Sequence, residues 1–142
     1  MEQFPHLNKL PVNDADWFSA LMKLARYLRS PEGCPWDREQ TSLSFSGYLH
    51  EEVDELREAL TGDENDHIEE EFGDVLFCLL ATAAAAENEG RFDLLKALKS
   101  AHEKMIRRHD HVFGENKAES PEAAIDSWNR IKAQEKKHRH SG

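Results

Sequence analysis

Val75-Leu76-Phe77-Cys78-Leu79-Leu80-Ala81-Thr82-Ala83-Ala84-Ala85-Ala86 decides the fold, because these twelve consecutive residues leave a helix with no polar face. One packed side cannot satisfy such a segment. It is either central in its own bundle or shared with a second subunit. It is also well short of the roughly 20 apolar residues that cross a bilayer, so a soluble helical bundle is expected and no membrane association. A chain with only three or four substantial helices has few elements to surround this one, so a homodimer is expected, with a tetramer left open.

Around this segment the apolar positions recur at helical spacing and no alternating pattern suggests strands. The central helix is expected from about Glu64 to Asn88, ended by Gly90. The helix before it begins between Thr41 and Phe45 and runs to Leu60, with Thr61-Gly62-Asp63 supplying its stop and the next cap. A first helix, about Asp14 to Leu28, repeats Trp17, Leu21, Leu24 and Leu28 on one face. Between these two lies Ser30-Pro31-Glu32-Gly33-Cys34-Pro35-Trp36-Asp37, whose two prolines and glycine argue against regular structure. Downstream, a helix from Asp93 to about Arg108 leads into a turn at His109–Gly114. The last helix opens at Ser120-Pro121 and carries Ala124, Ile125, Trp128 and Ile131 on one side. Beyond Gln134 the periodicity stops and residues 135–142 read as a frayed tail. The fold class is all-α: an antiparallel bundle of four to five helices in a single domain over residues 1–142, completed by homodimerisation.

Length and charge narrow the function. A chain of 142 residues is the size of one domain. With 28 acids against 18 bases the net charge is −10, which disfavours a nucleic acid polymer as partner. The only cysteines, Cys34 and Cys78, lack metal or redox spacing, and the first residues lack the layout of a secretory signal, so a cytoplasmic protein is expected.

The charge is concentrated. Between Glu51 and Asp74 there are twelve acids and one base, while the rest of the chain is nearly balanced. Glu52 with Glu55, and Glu71 with Asp74, sit three apart on successive antiparallel helices, so each pair shares a face. Leu49, Val53, Leu56 and Leu60 on one helix, and Ile68, Phe72, Val75 and Leu79 on the other, place these acids at the border of the core. Two carboxylates about 6 Å apart repel by roughly 2.8 kcal/mol at an effective dielectric of 20, and four such groups make six pairs. The sum rivals a domain's stability of about 5–15 kcal/mol unless a cation, a proton or splaying into water relieves it. A divalent ion relieves it most directly, and an all-carboxylate set suits Mg²⁺, with Mn²⁺ as a substitute, rather than zinc or copper. Since magnesium also takes phosphate oxygens, a phosphorylated substrate is implied. A solvated acidic face is the competing reading.

Lys104, Arg107 and Arg108 lie within two turns and suit phosphate recognition, or equally the negative end of their helix. Trp128, near Arg130 and Lys132, either stacks on a base or belongs to the core. Trp36 lines a pocket or pins its loop. His109 and His111 read as surface residues. Glu64-Asn65-Asp66-His67 and Glu135-Lys136-Lys137-His138 have the lettering of a di-iron bundle, but one opens a helix and the other falls in the tail.

Glu51-Glu52-Val53-Asp54-Glu55 followed by Glu71-Phe72-Gly73-Asp74 resembles the EExxE and ExxD pair of the MazG-type all-α nucleoside triphosphate pyrophosphohydrolases. Gly33-Cys34-Pro35-Trp36-Asp37 with Gln40-Thr41 ahead, and Lys104-Met105-Ile106-Arg107-Arg108-His109 with His111-Val112-Phe113-Gly114 behind, look like that family's flanking signatures. The likeness covers roughly Leu21 to Lys132. It implies Mg²⁺-dependent hydrolysis of a nucleoside triphosphate to the monophosphate and pyrophosphate, clearing non-standard or surplus nucleotides. It further implies Glu52, Glu55, Glu71 and Asp74 as metal ligands and Glu51, with Glu52, as the catalytic acids, Glu51 orienting or deprotonating water. Lys104, Arg107 and Arg108 would hold phosphates, and Trp128 the nucleoside. A non-catalytic nucleotide or metal sensor is the alternative.

Overall fold

The computed structural model describes residues 6–141, with side chains through Arg139. All regular structure among the described residues is helical: α1 (Asp14–Leu28), α2 (Pro35–Glu39), α3 (Ser42–Leu60), α4 (Asn65–Asn88), α5 (Leu94–Arg108), α6 (Asp110–Phe113) and α7 (Pro121–Ser141). The chain divides into two compact units, one through Asp93 and one from Leu94 onward.

In the first unit α3 packs along α4, and α1 lies against α4 as well. The start of α3 is fixed by a reciprocal cap: the Thr41 hydroxyl accepts from the Ser44 amide at 3.0 Å, and the Ser44 hydroxyl accepts from the Thr41 amide at 2.9 Å. After Leu60 the short connection 61–64 reverses the chain. Glu64, not Asp63, takes the cap position of α4, without a side-chain bond.

Along the α3–α4 seam the buried and half-buried positions follow a three-and-four spacing: Phe45, Leu49, Glu52, Leu56 and Ala59 on α3, and Glu71, Cys78, Ala81 and Ala85 on α4. Phe45, Ala81 and Ala85 form a buried cluster with Phe77 against it. This corrects the expected apolar stripe, since Val53, Leu60, Phe72 and Leu79 are 37%, 58%, 59% and 50% exposed. Small alanines let the helices approach closely at one end of the seam, while Glu52 and Glu71 take inward positions at the other. Leu80, Ala81 and Ala83–Ala86 are buried within the single chain, so only the earlier part of the Val75–Ala86 segment still shows an apolar surface.

Three irregular stretches prove more ordered than expected. Pro35 occupies the first position of α2, where its missing N–H costs nothing and its fixed φ suits a helix, so the proline starts structure there. Within the expected turn His109–Gly114, residues 110–113 close into α6, with the Gly114 amide donating to the Asp110 carbonyl at 2.7 Å. In the second unit, where α5 and α6 pack on α7, the last helix runs to Ser141 rather than ending at Gln134. Its extension is held by Glu135, which is ion-paired to Arg107 and Arg108.

Candidate functional site

The seam brings the acids together. Glu52, Glu55 and Glu71 each offer a carboxylate oxygen within 4.8 Å of the others. Glu52 is half-buried, Glu55 exposed, and Glu71 only 9% exposed. Asp74, one turn after Glu71, lies at the exposed edge of the seam and acts on both Glu52 and Glu71 through its charge. Glu51 is exposed and about 100° around the helix from Glu52, outside the group.

Two of these carboxyls resist ionisation. Burial pushes Glu52 above the usual carboxylate range, followed by the charges of Glu55 and Asp74, a hydrogen bond shared with Glu55, and the charge of Glu71. Glu71 is raised first by burial and then by Glu55 and Asp74, against the opposing pull of His67, whose Nδ1 lies 3.9 Å from Glu71 Oε1. Cys78, next along the seam, has its thiol pushed up by burial and by Glu52 and Asp74. Both cysteines are free.

Glu52 Oε2 and Glu71 Oε2 are buried and accept no hydrogen bond from any described group. Buried carboxylate oxygens without partners are costly, and two of them converging with a third carboxylate have the chemistry of a hard divalent cation's ligands. The residues present therefore fit such an ion. Beyond them, Glu55, Glu58, Glu64, His67 and Glu71 border an open hollow of about 600 Å³.

The segment before α3 is tied down from several directions. Arg29 donates from Nη1 to the carbonyls of Asp37 at 2.6 Å and Gln40 at 3.0 Å, and from Nε to Asn88 Oδ1 at 2.6 Å. Glu89 accepts from the Ser42 amide and hydroxyl, both at 2.7 Å, which lowers its pKa. Trp36 meets Phe45 and Tyr48 edge-on, with ring centroids 5.9 and 5.5 Å away, so it pins its loop to α3 while remaining 48% exposed.

In the second unit Arg108 is buried, Lys104 half-buried and Arg107 exposed, and both arginines engage Glu135. Trp128 is neither core nor open: the Arg108 guanidinium carbon lies 5.2 Å from its ring centroid and His109 meets it edge-on at 5.3 Å. His109 and His111 are half-buried rather than on the surface.

Sequence reasoning gave Arg29 no role and read His67 and Glu135 only as letters of a discounted di-iron pattern. His67 was legible in principle, since it lies four residues before Glu71 on one helix face. Arg29 and Glu135 act across long sequence separations and give no local signal.

An all-α unit whose interhelical seam gives way to converging carboxylates offers the ligand chemistry of a hard divalent cation's site. Residues 40–113 match the family described as MazG nucleotide pyrophosphohydrolase domain, and the chain belongs to that family. It is 44% identical to the nucleoside triphosphate pyrophosphohydrolase/pyrophosphatase MazG of Thermotoga maritima, a match covering 84% of this chain and 45% of that one. It is 43% identical to the uncharacterized protein YabN of Bacillus subtilis over 84% of this chain and 24% of that protein. A nucleoside triphosphate pyrophosphohydrolase of Escherichia coli is 38% identical over 82% of this chain and 44% of its own length. The chain thus spans less than half the length of these curated relatives. The crystal structure of a mazG-related protein from Thermotoga maritima superimposes with a TM-score of 0.69 at 31% identity, covering 81% of this chain and 98% of that one. No helix among the described residues is long and apolar enough to cross a membrane.

Proposed function

We propose that this chain hydrolyses nucleoside triphosphates to nucleoside monophosphate and pyrophosphate in a Mg²⁺-dependent reaction, with Mn²⁺ able to substitute. The observation that carries the reading is the pair of buried, unpartnered oxygens on Glu52 and Glu71, converging with Glu55 in a chain of this family. Glu52, Glu55, Glu71 and Asp74 would hold the ion, which when bound supplies Lewis acidity toward phosphoryl oxygens and water. Glu51, exposed on the same turn as Glu52, orients a water and takes its proton. Lys104, Arg107 and Arg108 supply positive charge for the phosphates, and Trp128 a ring face for the nucleoside. Trp36 borders the substrate. The role that fits is removal of non-standard or surplus nucleotides in the cytoplasm.

The test is to incubate a panel of triphosphates with and without Mg²⁺ and identify the products. Monophosphate plus pyrophosphate is expected; diphosphate plus phosphate contradicts the reading. Tight binding without turnover favours a sensor.

A homodimer completes the proposal. Phe72, Leu76, Phe18 and Leu21 line an open apolar hollow of about 750 Å³ in the first unit, which a second copy would cover. Light scattering at micromolar concentration is expected to give twice the chain mass, and a monomer mass would overturn the assignment.

A further inference from the structure

α2 spans five residues, too few to hold a helix by themselves, because fixing the first turn costs more than its few hydrogen bonds contribute. Its placement comes from outside, and Arg29 supplies it. This half-buried residue caps the end of α1. Its Nη1 covers the Asp37 and Gln40 carbonyls at 2.6 and 3.0 Å, while Nε donates to Asn88 Oδ1 at 2.6 Å. Those carbonyls stand at the C-terminal end of α2, where a helix leaves its acceptors without intrahelical donors. One side chain thus ties α2 both to the end of α1 and to the last residue of α4.

The element so fixed carries Trp36. A relay sets the backbone beneath that ring: Arg29 grips the Gln40 carbonyl, Gln40 Nε2 donates to the Trp36 carbonyl at 3.3 Å, and Ser44 Oγ donates to Gln40 Oε1 at 2.8 Å. The ring meets Phe45, which belongs to the buried cluster, and Tyr48, which is 43% exposed. Trp36 and Tyr48 therefore form an open aromatic corner. Tyr48 precedes Glu52 by four residues on α3, so the corner lies about 6 Å along the helix from that half-buried carboxylate. A molecule leaning on these rings is within one turn of the acids.

We propose that Arg29 is a positioning residue for nucleotide binding, its planar donor fork holding α2 so that Trp36 and Tyr48 stand as a preformed wall beside the acids. The inference rests on the proposed triphosphate reaction, in which Trp36 borders the substrate, and it gives Arg29 no contact with substrate. All three acceptors of Arg29 are neutral oxygens, so the fixed directions of its donors matter more than its charge. Lysine keeps the charge, but a single ammonium does not reproduce a fork that spans two backbone carbonyls and the Asn88 oxygen.

The experiment measures triphosphate kinetics in Mg²⁺, and calorimetric binding of Mn²⁺ and of an α,β-methylene triphosphate analogue, well below each melting transition. The proteins are wild type, Arg29→Lys, Asn88→Ala, Trp36→Ala, and Trp36→Ala combined with each of the first two. Arg29→Lys is expected to raise KM and the analogue Kd about tenfold, with kcat within about threefold and the Mn²⁺ Kd within about twofold. Asn88→Ala, an exposed change that releases only Nε, is expected to raise KM about threefold. Because Arg29 acts through Trp36, either change is expected to alter KM by less than about twofold once Trp36 is alanine. Wild-type KM in Arg29→Lys overturns the proposal, as does a full effect that persists without Trp36. A Mn²⁺ Kd weakened in parallel also overturns it, since that marks a general loosening of the fold. If Arg29→Lys fails to fold, Asn88→Ala decides by the same comparisons. A wild-type chain that neither hydrolyses triphosphate nor binds the analogue removes the reaction on which the inference rests; wild-type turnover that Arg29→Lys leaves untouched removes this inference alone.

Discussion

Glu71→Gln is expected to lower metal-dependent turnover by roughly a hundredfold to a thousandfold and, in the same protein, to raise the melting temperature of the metal-free form by a few degrees. The two effects share one cause. Glu71 is 9% exposed, its Oε2 has no partner among the described residues, and burial together with Glu55 and Asp74 disfavours its ionised form. A glutamine keeps the shape, removes the charge that the fold resists, and weakens the carboxylate set that would hold the ion. Scanning calorimetry in chelator, paired with a turnover assay in Mg²⁺, checks both. A variant with wild-type turnover, or one that melts lower than wild type, would sink the argument.

The sign of the pH dependence follows. Because the folded-state pKa values of Glu52 and Glu71 are raised, the metal-free fold binds their protons more tightly than the unfolded chain does. Their contribution is most favourable at and below the ordinary carboxylate value and declines as pH rises through the raised values. Glu135 behaves oppositely. Its folded pKa of about 2, against an ordinary 4.5, gives stability that is complete above 4.5 and disappears toward 2. Together these groups favour a maximum of metal-free stability near pH 4.5, and Glu71→Gln should flatten the decline on its alkaline side.

Gly33→Ala is expected to destabilise the chain by about 3 kcal/mol, or roughly 6–12 °C in melting temperature. A Cβ at this position would collide with the backbone carbonyl oxygens of Tyr27 and Leu28, which cannot swing aside as a flexible side chain would. Both carbonyls are committed: the Ser30 amide donates to Tyr27 at 2.9 Å and the Cys34 amide to Leu28 at 2.8 Å. Displacing them loosens the segment that Arg29 ties to Asp37 and Gln40 and that carries Trp36 onto Phe45 and Tyr48. Thermal melting of the variant decides; a loss under about 1 kcal/mol would show that the helix end yields more easily than its hydrogen bonds suggest.

The helices were legible wherever periodicity was long and capped. α1 has the expected bounds, and α3 begins after Thr41, within the range its cap residues allowed. The convergence of Glu52, Glu55 and Glu71 was readable from three-residue spacing on two antiparallel helices. What failed was the identity of the inward stripe. Hydropathy assigned Val53 and Phe72 to the core, yet alanine permits closer helix approach than larger side chains, and the seam follows Phe45, Ala81 and Ala85 instead. Prolines were read as breakers, although Pro35 stands where a helix accepts one. The Glu135 bridge was hidden because a lone acid in a basic tail looks solvated until the fold brings α5 and α7 together.

The shared α3–α4 seam also limits how such chains diverge. Phe45 and Glu52 are seven residues apart, as are Cys78 and Ala85, so a one-residue insertion inside either pair would turn everything beyond it by about 100° and carry the acids out of register with the alanine zipper. The hairpin at 61–64 bears no such constraint and can lengthen without rotating either rod. Length variation among descendants of this chain should therefore accumulate at the hairpin, while the helical spans on both sides keep their residue count.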